Sequence, residues 1–141
     1  MSKISFPDVP ILLVEDSMFV RAIIRRMLRQ VGMRNVTEVG DGEAALQALQ
    51  TFSPELVLLD WHLPHLTGGQ ILEIIRDPMI SARTDVPVIM ISGAPTKSLV
   101  ERSAQLGVTH FLRKPFSPHE LWTRLQALGI GAGPTAAAAL Q

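Results

Sequence analysis

The stretch Ile11-Leu12-Leu13-Val14-Glu15-Asp16 decides the fold: four consecutive apolar residues close on two acids. A short run with no polar alternation reads as a strand buried on both faces, the kind found in parallel sheets covered by helices above and below. The pattern returns in Leu56-Val57-Leu58-Leu59-Asp60, again apolar and again ending on an acid. It returns once more from Val86 to Ile91, closing on Ser92-Gly93, with Pro87 suited to the beginning of that strand. Weaker strand candidates are Asn35 to Val39 and Thr109 to Arg113, the second ending at Lys114-Pro115.

Helical spacing fills the intervals. Val20, Ile23, Ile24, Met27, Leu28 and Val31 share one face, and Arg21, Arg25, Arg26 and Arg29 form the other, which reads as a solvated stripe. Gly32 stops that helix. A second helix from Glu43 to Thr51 follows Gly40-Asp41-Gly42, and its connection ends at Pro54. Ile71, Leu72, Ile74 and Ile75 mark a third helix, stopped near Pro78; a fourth runs from Thr96 to Leu106 and ends at Gly107. The last is signposted by Ser117 as cap, Pro118 at the first position and Glu120 to complete a capping box.

Five strands alternating with five helices predict an α/β, flavodoxin-like doubly wound (βα)5 fold with right-handed crossovers and a five-stranded parallel sheet in the order 2-1-3-4-5. The domain is expected over residues 10–128, after an extension at 1–9 and before a frayed Gly/Ala-rich tail at 129–141. A length of 141 residues, 47% of them hydrophobic and 18% charged, suits one globular domain rather than a disordered chain. Lys plus Arg and Asp plus Glu both number 13, which disfavours direct nucleic-acid or anionic-membrane binding. The absence of cysteine removes thiolate zinc sites and disulfides, and no signal peptide or spanning run is evident, so a soluble cytoplasmic protein is expected.

In an open α/β sheet the ligand site lies beyond the carboxyl ends of the strands, where strand order reverses. The residues at those ends are Glu15 and Asp16, Asp60, Ser92, and Lys114. The predicted order sets Asp16 beside Asp60. Two carboxylates about 4 Å apart repel by ~4 kcal/mol at an effective dielectric near 20, so a proton or a cation must relieve the cluster. Oxygen ligands without cysteine suit a hard ion that keeps its waters and bridges carboxylate to phosphate, which points to Mg²⁺ and phosphoryl chemistry. Lys114 offers a compact charge for a phosphate oxygen, and Ser92 a hydroxyl donor. Asp16 is also placed to cap the Arg-rich helix. Trp61 is expected at the rim of this pocket and Trp122 in or beside the last helix, whereas His62 and His65 are a weak signal for zinc.

Four ordered segments carry a resemblance: Leu13-Val14-Glu15-Asp16-Ser17, Leu58-Leu59-Asp60-Trp61-His62-Leu63-Pro64-His65-Leu66-Thr67-Gly68, Met90-Ile91-Ser92-Gly93-Ala94, and Phe111-Leu112-Arg113-Lys114-Pro115-Phe116. Over Pro10 to Leu128 the chain resembles the bacterial response-regulator receiver domains, and among them the single-domain chemotaxis regulators. The resemblance implies that Asp60 accepts a phosphoryl group from a histidine kinase or histidine phosphotransfer protein. It implies Mg²⁺ held by Asp16, Asp60 and the backbone carbonyl of His62, with Glu15 as a further acid acting through water. Lys114 would pair with the phosphoryl group and Ser92 would hydrogen-bond it. Phe111 would turn into the space behind Ser92, altering the face of the fourth helix, fifth strand and fifth helix that binds a downstream protein. A cis Lys114-Pro115 bond, and a monomer or phosphorylation-dependent dimer, also follow. The product is a signalling switch that catalyses only its own phosphorylation and dephosphorylation. Glu15 stands where the family often has Asp, and His62 and Ala94 occupy positions that influence how fast the phosphate is lost.

Three other readings compete. A pseudo-receiver would bind protein without phosphate, against which Asp60 itself argues. A phosphatase of the haloacid-dehalogenase type wants Asp-x-Asp at the first strand end, which Val14-Glu15-Asp16-Ser17-Met18 does not provide. A flavodoxin-like electron carrier needs a phosphate-binding loop where Glu15 and Asp16 would repel the flavin phosphate.

Overall fold

The uninterrupted apolar runs form the middle of the sheet. In the computed structural model, which describes residues 8–130, β1 (Ile11–Val14), β3 (Leu56–Asp60) and β4 (Val88–Ser92) are buried at every position. The weaker candidates are the two edges, β2 (Val36–Val39) and β5 (His110–Arg113), both partly exposed. All pairings are parallel and the order is β2-β1-β3-β4-β5, as the sequence predicts. Pro87 sits just before β4, where its carbonyl still accepts from Val57 N–H at 3.0 Å.

Alternation along each strand divides the core into two layers. Ile11, Leu13, Leu56, Leu58, Ile89 and Ile91 face one side, packed with Ile24 and Leu28 of α1 (Met18–Gln30) and with Leu121 and Leu125 of α5 (Pro118–Ala127). Leu12, Val14, Val57, Leu59, Val88 and Met90 face the other, with Ala45 of α2 (Gly42–Thr51) and Ile71, Leu72 and Ile75 of α3 (Gly68–Arg76). The remaining helix is α4 (Lys97–Gln105). Val9 and Ile130 also pack against the α1/α5 layer; residues 1–7 of the expected extension and 131–141 of the expected tail lie outside the described residues. Among the described residues no helix is long and apolar enough to cross a membrane.

Every helix begins on a residue of extended backbone whose side chain accepts from the first turn: Ser17, Asp41, Thr67, Thr96 and Ser117. Each such cap is worth about 1 kcal/mol. The expectation that Asp16 caps α1 is therefore corrected: Ser17 Oγ accepts from Val20 N–H at 3.2 Å, which leaves the Asp16 carboxylate for the strand ends. The Ser117/Glu120 capping box forms as predicted, and Thr67 with Gln70 makes a second. Gly32 ends α1 at φ 91, a left-handed conformation that glycine adopts without strain.

Gly68 is required for a different reason. Its N–H donates to the Trp61 carbonyl at 2.8 Å, and a Cβ there would overlap the Asp60 carbonyl oxygen and stand 2.8 Å from Trp61 Cα. Backbone cannot yield as a flexible side chain can. Gly68→Ala is expected to cost about 3 kcal/mol of stability, read as a lowered urea midpoint, because α3 must lift off the loop after β3.

Candidate functional site

Register brings the strand ends together. Val14 pairs with Leu59 across β1 and β3, so Glu15 and Asp60 leave the sheet side by side; Ser92 pairs with Arg113 across β4 and β5, so Lys114 is the next residue on that edge. Carboxylate oxygens of Glu15, Asp16 and Asp60 all lie within 4.8 Å of one another. Glu15 and Asp60 are 2% and 4% exposed, whereas Asp16 is exposed at the mouth. Side chains separated by as much as 99 positions meet here: Lys114 Nζ donates to Glu15 Oε2 at 2.6 Å and to Asp60 Oδ2 at 3.3 Å.

The backbone fixes each acid. Glu15 Oε1 accepts from Ser17 N–H at 3.2 Å, and Asp60 Oδ1 accepts from His62 N–H at 3.1 Å. Arg21 donates to the Glu15 carbonyl oxygen at 2.7 Å and also approaches Glu38 at 3.7 Å, while Arg25 binds Glu38 at 2.6 Å. The first half of the arginine stripe is thus not a freely solvated face, as read from the sequence, but a brace between α1, β2 and the end of β1. Ile23, placed on the apolar face by spacing, is 39% exposed.

Three carboxylates face one ammonium, two of the acids almost wholly out of water. The cluster retains a negative surplus that an oxygen-seeking divalent ion would neutralise, and the all-oxygen donor set fits such an ion. Burial works to lower the Lys114 pKa, but the hydrogen bond to Glu15, the charges of Asp60 and Glu15, and the hydrogen bond to Asp60 outweigh it. The net effect holds the ammonium above its ordinary value of 10.5.

A folded-state pKa above the unfolded one contributes stability that is complete below the unfolded value and disappears as pH rises through the folded value. In metal-free buffer, stability is therefore expected to fall as pH climbs beyond about 10.5, and Lys114→Gln should flatten that limb. Urea midpoints at about pH 8 and about pH 11 measure it, in a chain without tyrosine or cysteine to titrate in the same range.

The other expected residues fall as follows. Ser92 is fully buried and its Oγ accepts from Ala94 N–H at 3.2 Å, while Phe111 is half-buried against the α2/α3 layer. The Lys114-Pro115 bond is cis, as the resemblance implies. Trp61 packs its ring over Gly69 at the start of α3, and Trp122 packs in α5, stacked on His119 at 5.7 Å. Among the described residues, the group able to hold a metal is Glu15, Asp16 and Asp60; His62 and His65 are exposed and outside it. Arg21, read from the sequence as one charge of the helix stripe, and Gly68, quoted only within a motif, are the additions: one holds the backbone of Glu15, the other lets α3 lie on the backbone of Asp60.

A sequence model of the response regulator receiver domain matches residues 11–126. The chemotaxis protein CheY of Pseudomonas aeruginosa is 30% identical over 119 residues, covering 84% of this chain and 94% of that protein. Among solved structures, the chemotaxis protein CheY4 of Vibrio cholerae is similar with a TM-score of 0.76 at 27% identity, over 84% of this chain and 97% of that one. The receiver domain of the sensor histidine kinase PA1611 from Pseudomonas aeruginosa, described with a magnesium ion coordinated in its active site cleft, gives 0.74 at 34% identity, over 84% and 94%.

Proposed function

The chain belongs to the response regulator receiver domain family, and from that premise we propose that Asp60 takes a phosphoryl group from a phosphohistidine on a histidine kinase or histidine phosphotransfer protein, and that the change is passed on by protein contact. The observation that carries this reading is the meeting of Glu15, Asp16 and Asp60 with Lys114 at the point where strand order reverses.

Asp16, Asp60 and the His62 backbone carbonyl would hold Mg²⁺, with Glu15 acting through water, and the ion would supply charge neutralisation for the acids and the incoming phosphoryl oxygens. The magnesium described in the related Pseudomonas receiver supports that assignment. In the transfer, a carboxylate oxygen of Asp60 bonds to phosphorus as the phosphorus–nitrogen bond breaks, and its electron pair leaves with the imidazole. Lys114, already at 3.3 Å from Asp60, follows the new negative charge onto the phosphoryl oxygens. Ser92 Oγ keeps a hydrogen to donate to the same group.

A phosphoryl group adds roughly 1.5 to 2 negative charges, by analogy with hydroxyl phosphorylation. That pull on Ser92 opens room for Phe111 to turn inward, and the α4-β5-α5 face changes for a downstream protein. The acting unit is residues 10–128, with 1–9 and 129–141 as flanks, in a cytoplasmic two-component or chemotaxis-like relay, as a monomer or a phosphorylation-dependent dimer. The test is to expose the protein to a small acyl-phosphate donor with Mg²⁺ and map the added group by mass spectrometry. Label on Asp60 is the expected result; label elsewhere, or none, overturns the reading.

A further inference from the structure

Among the described residues, the edge strand β2 has no neighbour in the sheet on one side of its backbone. Ile11 N–H donates to the Asn35 carbonyl at 2.9 Å and Glu15 N–H to the Val39 carbonyl at 3.1 Å, so the peptide groups of residues 35, 37 and 39 turn towards β1. Strand alternation then turns those of Val36 and Glu38 outwards. The side chains of the same two residues lie on the α1 side, where Val36 packs against the core and Glu38 binds Arg25. Together with Arg25, Arg29 and Arg34 they wall a cleft of about 400 Å³.

Charge in this cleft is unbalanced. Glu38 answers Arg25, but among the described residues the one ion pair of Arg34 is with Asp8 at 3.9 Å, with side chains 70% and 60% exposed, and Arg29 has none. This positive surplus is local, in a chain whose formal net charge is zero. Arg25 and Arg29 are one helical turn apart, about 6 Å. Residues i and i+2 of an extended chain lie on one face about 6.7 Å apart. Acids at alternate positions of a strand would therefore fall in step with the arginines.

We propose that this edge docks an extended acidic segment of a partner protein, added beside β2 as a sixth strand. Its backbone pairs with the outward peptide groups of Val36 and Glu38, and its alternate Asp or Glu side chains reach Arg25, Arg29 and Arg34. A nucleic acid suits the edge less well, because phosphodiester has no N–H for the outward carbonyls. Arg29 is in the last turn of α1 and Arg34 precedes β2, at the amino ends of the strands, so the surface is separate from Asp60. The inference does not rest on the phosphoryl reading.

The probe is a fluorescein-labelled acetyl-Glu-Val-Glu-Val-Glu-Val-Glu amide, followed by anisotropy against the full chain. Saturable one-to-one binding that weakens with salt is expected, with slowed hydrogen exchange at the Val36 and Glu38 amides. Arg29→Glu combined with Arg34→Glu should lower affinity at least roughly tenfold, while acyl-phosphate labelling of Asp60 stays unchanged. No saturable binding overturns the proposal. So does equal binding of the peptide N-methylated along one edge, or of an oligothymidylate, since either shows attraction to charge alone. If the double variant fails to fold by circular dichroism, the exchange data on the unaltered protein decide the matter.

Discussion

Asp60→Asn is expected to abolish phosphoryl uptake from a small acyl-phosphate donor and, in metal-free buffer, to make the protein more stable. The two effects have one source. At separations up to 4.8 Å, the charge of Asp60 is repelled by Glu15 and by Asp16, about 3.5 kcal/mol each at an effective dielectric near 20. Lys114 at 3.3 Å returns about 5 kcal/mol, so removing the charge leaves a gain of about 2 kcal/mol. The asparagine keeps an oxygen to accept the His62 N–H that Asp60 Oδ1 accepts at 3.1 Å, so the loop after β3 is retained. Mass spectrometry reads the first effect and urea denaturation with a chelator the second. A variant that is labelled at residue 60 to the same extent, or that is less stable without metal, contradicts the electrostatic account of the site.

Lys114→Met carries the opposite sign. It leaves Glu15 and Asp60, both nearly out of water, without the ammonium that stands at 2.6 and 3.3 Å. Removing one partner of a buried ion pair costs about 3 to 5 kcal/mol, because an uncompensated charge remains. The loss should be largely recovered by millimolar divalent cation, which replaces the missing positive charge, whereas an unrelated packing defect would not respond. Phosphoryl uptake should fall by roughly a hundredfold or more, since the charge that follows the transferring group is gone. Lys97 is the control: its side chain is 91% exposed and lies 3.9 Å from Glu101, so Lys97→Met should change stability by less than about 0.5 kcal/mol.

These effects were partly readable in the amino-acid order. β1, β3 and β4 stand out because a strand covered on both faces needs no polar alternation, and the acid that ends an apolar run marks where the strand leaves the core. β2 and β5 are fainter for the reason that makes them edges: one side of each meets water. The Ser117 box was legible because Pro118 and Glu120 surround it; Thr67 with Gln70 uses the same chemistry without a proline and passed unread.

Placing Asp16 as the cap of α1 failed because Asp16 and Ser17 are both good caps, and only the backbone geometry distinguishes them. Arg21 was legible as a charge on a helix but not as a brace, since its partners come from the end of β1 and from Glu38 on another strand. Lys114 was readable as a cation at a strand end; its direct contact with both Glu15 and Asp60 depends on a register that pairs Val14 with Leu59 and Ser92 with Arg113.

Calorimetric titration of the metal-free protein with Mg²⁺ tests the central claim most directly, with Asp16→Asn and Asp60→Asn titrated alongside. One ion per chain, bound at least roughly tenfold more weakly by either variant, is the result expected from carboxylates that share a single cation. No saturable binding, or binding that both variants keep unchanged, would contradict it.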